Sequence, residues 1–158
     1  MKEKGITLKV EEIRVLQKTG TVTVLRVVKI PETGRIKNGT RSKDGSVMVA
    51  FDQSGLADWK KLYCPFGQVG DRLWCKQNYL LLNVEVMEVR VERLQEITEE
   101  DAKVSGVLWV ERETSPGSGV YEPCARRELR GLWNFYNPKF KWDTNPWVFV
   151  ISFKKIDK

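Results

Sequence analysis

The chain has no histidine among its 158 residues, which removes the usual general base, the usual activator of a Ser or Cys nucleophile and the commonest zinc ligand. Proton transfer or nucleophilic attack would fall to Lys, a carboxylate, Thr or Cys. The three cysteines, Cys64, Cys75 and Cys124, are odd in number and too far apart for a CxxC pair, so reduced thiols are expected. Dispersed thiolates without histidine are a poor zinc set, and no metal or cofactor is expected. The acidic run VERLQEITEED reads as helix capping and solvated surface.

Binding chemistry is better represented. Lys and Arg outnumber Asp and Glu by 27 to 21, a formal charge of +6 with pI near 9.3. Such an excess favours polyanionic partners, RNA or DNA, although it also serves solubility. Arg35, Lys37, Arg41 and Lys43 share one turn-rich stretch and form a candidate phosphate clamp, because such cations gain from counterion release without reading sequence. Trp74, Trp142 and Trp147 are candidate stacking surfaces, worth about 1–3 kcal/mol per base. Trp74 and Trp147 fall in strand-like runs, which favours packing, whereas Trp142 sits in a polar turn beside Lys139 and Lys141 and is the stronger candidate for contact. Arg126, Arg127 and Arg130 read as an exposed helix face with local ion pairs to Glu122 and Glu128.

These side chains need a scaffold, and the length suits one domain over 1–158. No apolar run approaches the roughly 20 residues of a membrane span, and MKEKGITLKV has no apolar signal region, so a cytoplasmic protein without membrane partners is expected. GITLKV predicts a first strand. EEIRVLQKTG predicts a short helix, with Ile13 and Leu16 inward and Gly20 as its stop. TVTVLRVVKI reads as a strand partly buried on both sides, and 31–45 as a flexible basic loop. SVMVAF predicts a strand, DQSGLADWKKLYCPFGQVGD an irregular segment and DRLWCKQ another strand. LLLNVEVMEVRVERL predicts one long strand or a strand with a bulge, marked by Val84, Val86, Val89 and Val91. Thr98 and Asp101 open a short capped helix that Gly106 ends, and TSPGSG is a flexible turn. PCARRELRGLWNFYN is an amphipathic helix with Pro123 in its first turn and Ala125, Leu129, Leu132 or Trp133, and Tyr136 on one face. WVFVISFKKI is the last strand. The pattern is α+β: a mixed β-barrel with two or three decorating helices.

Three segments, CPFGQVGDRLW (Cys64–Trp74), VRVERLQEITEEDA and NPWVFVISFK (Asn145–Lys154), together resemble the ASCH domain of the PUA-like superfamily, in the branch carried by tailed phages and prophages. The resemblance runs from Gly5 to Ile156 and implies a PUA-like barrel that holds nucleic acid or a modified nucleoside. In ASCH proteins resembling bacterial N4-acetylcytidine amidohydrolases, a Lys base, a Thr three residues on and a Glu from a later strand carry the chemistry. Aligned here, those positions hold Thr21, Val24 and Gln77. A shifted turn would restore the Lys-to-Thr spacing with Lys18 and Thr21, leaving Lys18, Thr21 and Gln77 as the catalytic set of an active protein; Gln77 is isosteric with Glu but takes no proton. The resemblance thus implies a binding protein whose catalytic set has degenerated, with Arg26, Lys76 and Gln77 at the barrel mouth and Gln77 offering donor and acceptor to a base edge. Two alternatives stay open: an amidohydrolase acting on N4-acetylcytidine-like substrates, and a phage protein that binds a host protein, for example in counter-defence.

Overall fold

The computed structural model describes residues 3–28, 35–36, 46–50, 59–77 and 80–156, with side chains for 5–28, 63–75 and 81–156. In chain order the elements are β1 (Glu3–Gly5), α1 (Val10–Thr19), β2 (Thr21–Val27), β3 (Arg35–Ile36), β4 (Ser46–Ala50), β5 (Trp59–Tyr63), β6 (Arg72–Gln77), β7 (Leu80–Arg93), α2 (Glu99–Lys103), β8 (Glu111–Glu113), β9 (Tyr121–Pro123), α3 (Ala125–Tyr136) and β10 (Trp147–Ile156). Single 3₁₀ turns occupy Leu94–Glu96 and Trp142–Thr144. The architecture is mixed α+β, built on a five-stranded sheet of order β1-β6-β7-β10-β2 that curls into a half-barrel. Its pairings are antiparallel except β1 with β6. Strands β3, β4 and β5 form a second antiparallel sheet, and β8 and β9 a hairpin.

Strand β10 is the spine, and its period-2 alternation separates two cores. Phe149, Ile151 and Phe153 face one core, with Val22 and Val24 of β2, Leu73 and Cys75 of β6, the β7 valines and Ile13 and Leu16 of α1. Val148 and Val150 face the other, with Leu25, Ala102 of α2 and Ala125, Leu129 and Trp133 of α3. Along β7 the buried positions are Leu82, Val84 and Val86, then Val89 and Val91, so the inward parity changes from even to odd. The register against β10 slips at that place, from Ser152 opposite Glu88 to Phe153 opposite Val86. The bulge predicted for this strand therefore leaves Met87 as the extra residue and keeps every valine inside.

The two edges of the sheet, β1 and β2, are joined by the connector 6–9 and α1, so α1 lies across one sheet face. Gly20 ends α1 at φ 82°, its N–H donating to Leu16 O at 2.8 Å. On the opposite side, Thr98 caps α2 by accepting from the Asp101 N–H at 3.1 Å, and the Glu99 carboxylate of α2 accepts from the Ala125 and Arg126 N–H groups at the start of α3. One helix thus supplies the cap of the next.

Several expectations change. GITLKV is not a strand throughout: β1 ends at Gly5 and the chain leaves the sheet, because the Lys9 N–H is taken by Glu12 Oε1 at 2.7 Å and commits the next residues to α1. The loop expected over 31–45 contains β3, paired with Val49 and Ala50. The segment expected to be irregular holds β5, five residues paired with β4. TSPGSG lies at the tip of the β8/β9 hairpin. Pro123 ends β9 rather than starting α3, whose N-cap is Cys124.

Gly106, just beyond α2, is where the second core meets the start of α1. Its φ is +109°, and a Cβ there would lie 2.9 Å from the backbone carbon of Glu11 and 3.0 Å from Glu12 N. Gly106→Ala is expected to cost about 2–3 kcal/mol, from the left-handed backbone and the clash together, and to lower Tm by roughly 5–10 °C. Gly20→Ala, with a positive φ but open space around it, should cost only about 1–2 kcal/mol, so thermal melts of the two variants separate the steric term.

Candidate ligand-binding cleft beside the start of helix α1

Where the connector leaves β1 and turns into α1, it faces the end of β2 and the Pro65–Phe66 segment. Between them lies a cleft of about 500 Å³ lined by Ile6, Thr7, Lys9, Arg26, Pro65 and Phe66, with Gly5 at its β1 side. Small-molecule sites span about 300–1,000 Å³, so the cleft has ligand dimensions.

Arg26 interrupts the apolar run of β2 and shares the inward face with Val22 and Val24, opposite Phe149. A guanidinium at such a position requires a partner, and Glu12 provides it in fork-to-fork geometry: Nη2 donates to Oε1 at 2.7 Å and Nη1 to Oε2 at 2.9 Å. Nη1 also donates to Leu25 O at 2.9 Å, and Nη2 approaches Thr7 O at 3.4 Å. Glu12 is 4% exposed, and its Oε1 also accepts the Lys9 N–H. One carboxylate therefore ties together the connector, α1 and β2.

Lys9 stands next to this pair. Its Nζ lies 4.3 Å from the centroid of the Tyr136 ring, and the Tyr136 hydroxyl donates to both oxygens of Glu11, at 3.0 and 3.1 Å. Burial, and after it the Arg26 guanidinium, pulls the Lys9 ammonium below the ordinary lysine range, against the raising influence of Glu12 and Glu11. The hydrogen bond to Glu11 pushes the Tyr136 phenol up. The cleft thus combines apolar walls with Arg26, whose charge is paired with Glu12, and Lys9, whose ammonium lies over the ring of Tyr136, a residue outside the cleft lining.

Of the residues singled out in the sequence, the structure brings Arg26 into this cleft and places Trp74 beside it. Trp74 is 45% exposed on β6, and a Cβ on Gly5 would lie 2.9 Å from its ring, so the indole rests on a residue that also lines the cleft. Trp142, expected to be in contact with ligand, is 8% exposed in the second core with α3, because its turn folds back on Asn134, whose Oδ1 accepts the Trp142 N–H at 2.7 Å. The exposures of the two tryptophans are the reverse of those expected. Trp147 is half-buried under the Arg93 guanidinium, and Lys141 is exposed.

Lys18 is exposed in the last turn of α1, and Thr21 is exposed at the start of β2, at the other end of α1 from the cleft. Val24 is buried among apolar side chains. Thr21 shares a cross-strand row with Lys154, Glu85 and Arg72, while Gln77 pairs with Leu80 at the far end of β6, with β7 and β10 between β6 and β2. Lys76, Gln77 and Arg35 lie in strands, their side chains outside the described set, and Lys37, Arg41 and Lys43 lie outside the described residues. Cys64 and Cys75 are buried, and Cys124 donates its thiol to Val110 O. Among the described residues no His, Cys, Asp or Glu cluster has the form of a metal site, and no helix is long and apolar enough to cross a membrane.

Sequence reasoning passed over Lys9 and Glu12 and placed Tyr136 on the apolar face of α3, where the structure leaves it exposed with its hydroxyl on Glu11. The available signal was Arg26 itself, a lone charge inside an apolar strand, together with Glu12 three residues after the Lys9 that precedes the helix.

The charge coupling in the cleft is testable by following Lys9 with amine-selective acylation or side-chain NMR against pH. Its midpoint is expected below the ordinary lysine value, higher in Arg26→Met, which removes a lowering charge, and lower still in Glu12→Gln. Because the folded chain holds this proton less tightly than the unfolded chain, the contribution to stability is fully present above the ordinary lysine value and lost as pH falls through the lowered one. An unmoved midpoint in both variants would contradict the coupling. Neither a protein-family model, nor a curated protein, nor a solved structure matches the chain.

Proposed function

We propose that this chain is a PUA-like barrel of the ASCH type, of phage or prophage origin, that binds nucleic acid or a modified nucleoside and has lost hydrolase activity. The observation that carries this reading is the conjunction at Gly5: an exposed indole, Trp74, rests on the same residue that opens the cleft holding Lys9. An exposed indole offers a face on which a base can stack, and a cation lining the neighbouring cleft can attract its phosphate. The formal charge of +6 agrees in sign with such a ligand. Support for lost catalysis comes from the positions aligned with the family's catalytic residues. Val24 is in the apolar core, and Lys18 and Thr21 are solvent-exposed rather than gathered in a pocket with Gln77.

Titration of labelled single-stranded RNA and DNA and of nucleosides at low salt, repeated as salt rises, tests the proposal. Binding is expected to weaken with salt, with a slope of about 0.7 per phosphate neutralised. Trp74→Ala should weaken it about 10- to 100-fold through lost stacking. Absence of binding to every RNA, DNA and nucleoside tested would sink the reading, and turnover of N4-acetylcytidine by the purified protein would overturn its non-catalytic part.

A further inference from the structure

The cleft contains two cations in very different states. Arg26 has both terminal nitrogens engaged by Glu12 and by backbone carbonyls, so its charge is compensated and those nitrogens are occupied. Lys9 makes no ion pair among the described residues. Its Nζ lies over the Tyr136 ring, and the nearby Glu11 carboxylate, which accepts from the Tyr136 hydroxyl, favours its charge together with Glu12. The remaining described walls are largely apolar: Ile6, Pro65 and Phe66.

We infer that the cleft takes one mononucleotide-sized ligand bearing a single anionic group, with the anion on Lys9 Nζ and the apolar body against Ile6 and Phe66, while Arg26 positions the wall without touching the ligand. The inference rests on the nucleotide-binding reading above and narrows it from a strand to one unit. A polyanionic strand threaded through the cleft would need several uncompensated cations, and the described lining offers Lys9 alone. Burial and the Arg26 charge disfavour the ammonium of Lys9, while Glu12 and Glu11 favour it without forming an ion pair with it, so an anion bound there supplies the direct partner that the described residues do not. Arg26, in turn, holds Glu12 and approaches Thr7 O, and so fixes the connector that carries Lys9.

The test is calorimetric titration at low salt of the full chain with a set of nucleosides, their 5′-monophosphates and a short oligonucleotide. The monophosphates are expected to bind at least about tenfold tighter than the nucleosides, the size of one charge-assisted contact. Lys9→Met should erase that ratio and Lys9→Arg largely restore it. The double variant Glu12→Leu/Arg26→Met, which removes the buried pair without orphaning either charge, is expected to weaken both ligand classes while keeping the ratio above unity. Three results would overturn the inference: no preference for the monophosphate in the wild-type chain, a preference that survives Lys9→Met, or a preference abolished by the double variant and untouched at Lys9. Binding of the oligonucleotide without either small ligand would also overturn it and leave the nucleic-acid reading standing, whereas silence toward all three probes would remove both.

Discussion

The ion pair between Glu12 and Arg26 is the constraint around which this end of the molecule is arranged. A carboxylate almost wholly removed from water is tolerated only when its oxygens are occupied, and here the guanidinium fork and the Lys9 N–H occupy them. The three groups belong to three successive pieces of chain: the connector after β1, the first turn of α1 and the strand that follows. Their convergence decides where α1 begins and how it crosses the sheet. It also fixes the connector whose residues Ile6, Thr7 and Lys9 line the cleft.

The rest of the fold holds that arrangement from both sides. Ile13 and Leu16 anchor α1 to the core shared with β6, β7, β10 and β2. From the other core, the Gly106 backbone lies against Glu11, Arg14 donates to Gly106 O at 3.1 Å and Tyr136 of α3 reaches Glu11. Helix α1 is thus clamped between two apolar cores by short-range contacts with little play, and a close-packed interior passes displacement on rather than absorbing it. An ammonium placed at this junction, as Lys9 is, keeps its position at the cleft through packing on neighbouring elements.

Much of the framework is legible in the residue pattern. The bulge in β7 is visible as a change of valine parity between Val86 and Val89, since a period-2 strand that buries both sets must gain a residue. The stop of α1 at Gly20, the Thr98 cap and the apolar face of α3 follow from local rules that depend on a few neighbouring residues. The short strands β1, β3, β8 and β9 carry no comparable pattern. Two or three residues cannot display alternation, and each is a strand only because a partner edge lies beside it.

The sequence by itself determined the α+β class, the long strands, the segments that form helices, the absence of histidine chemistry and the basic balance of the chain, because composition and periodicity act locally or over the whole chain. Only the tertiary structure decided which polar residues share a site. Trp74 and Trp142 are the same residue type in strand-like and turn-like contexts, yet the strand leaves Trp74 half in solvent over a glycine and the turn folds Trp142 inward against α3. Lys9 and Arg26 lie 17 positions apart and Tyr136 lies 110 beyond Arg26, so nothing in their local neighbourhoods marks them as a group. Their meeting depends on sheet register and on the path of α1 between two cores, and those are set by long-range packing.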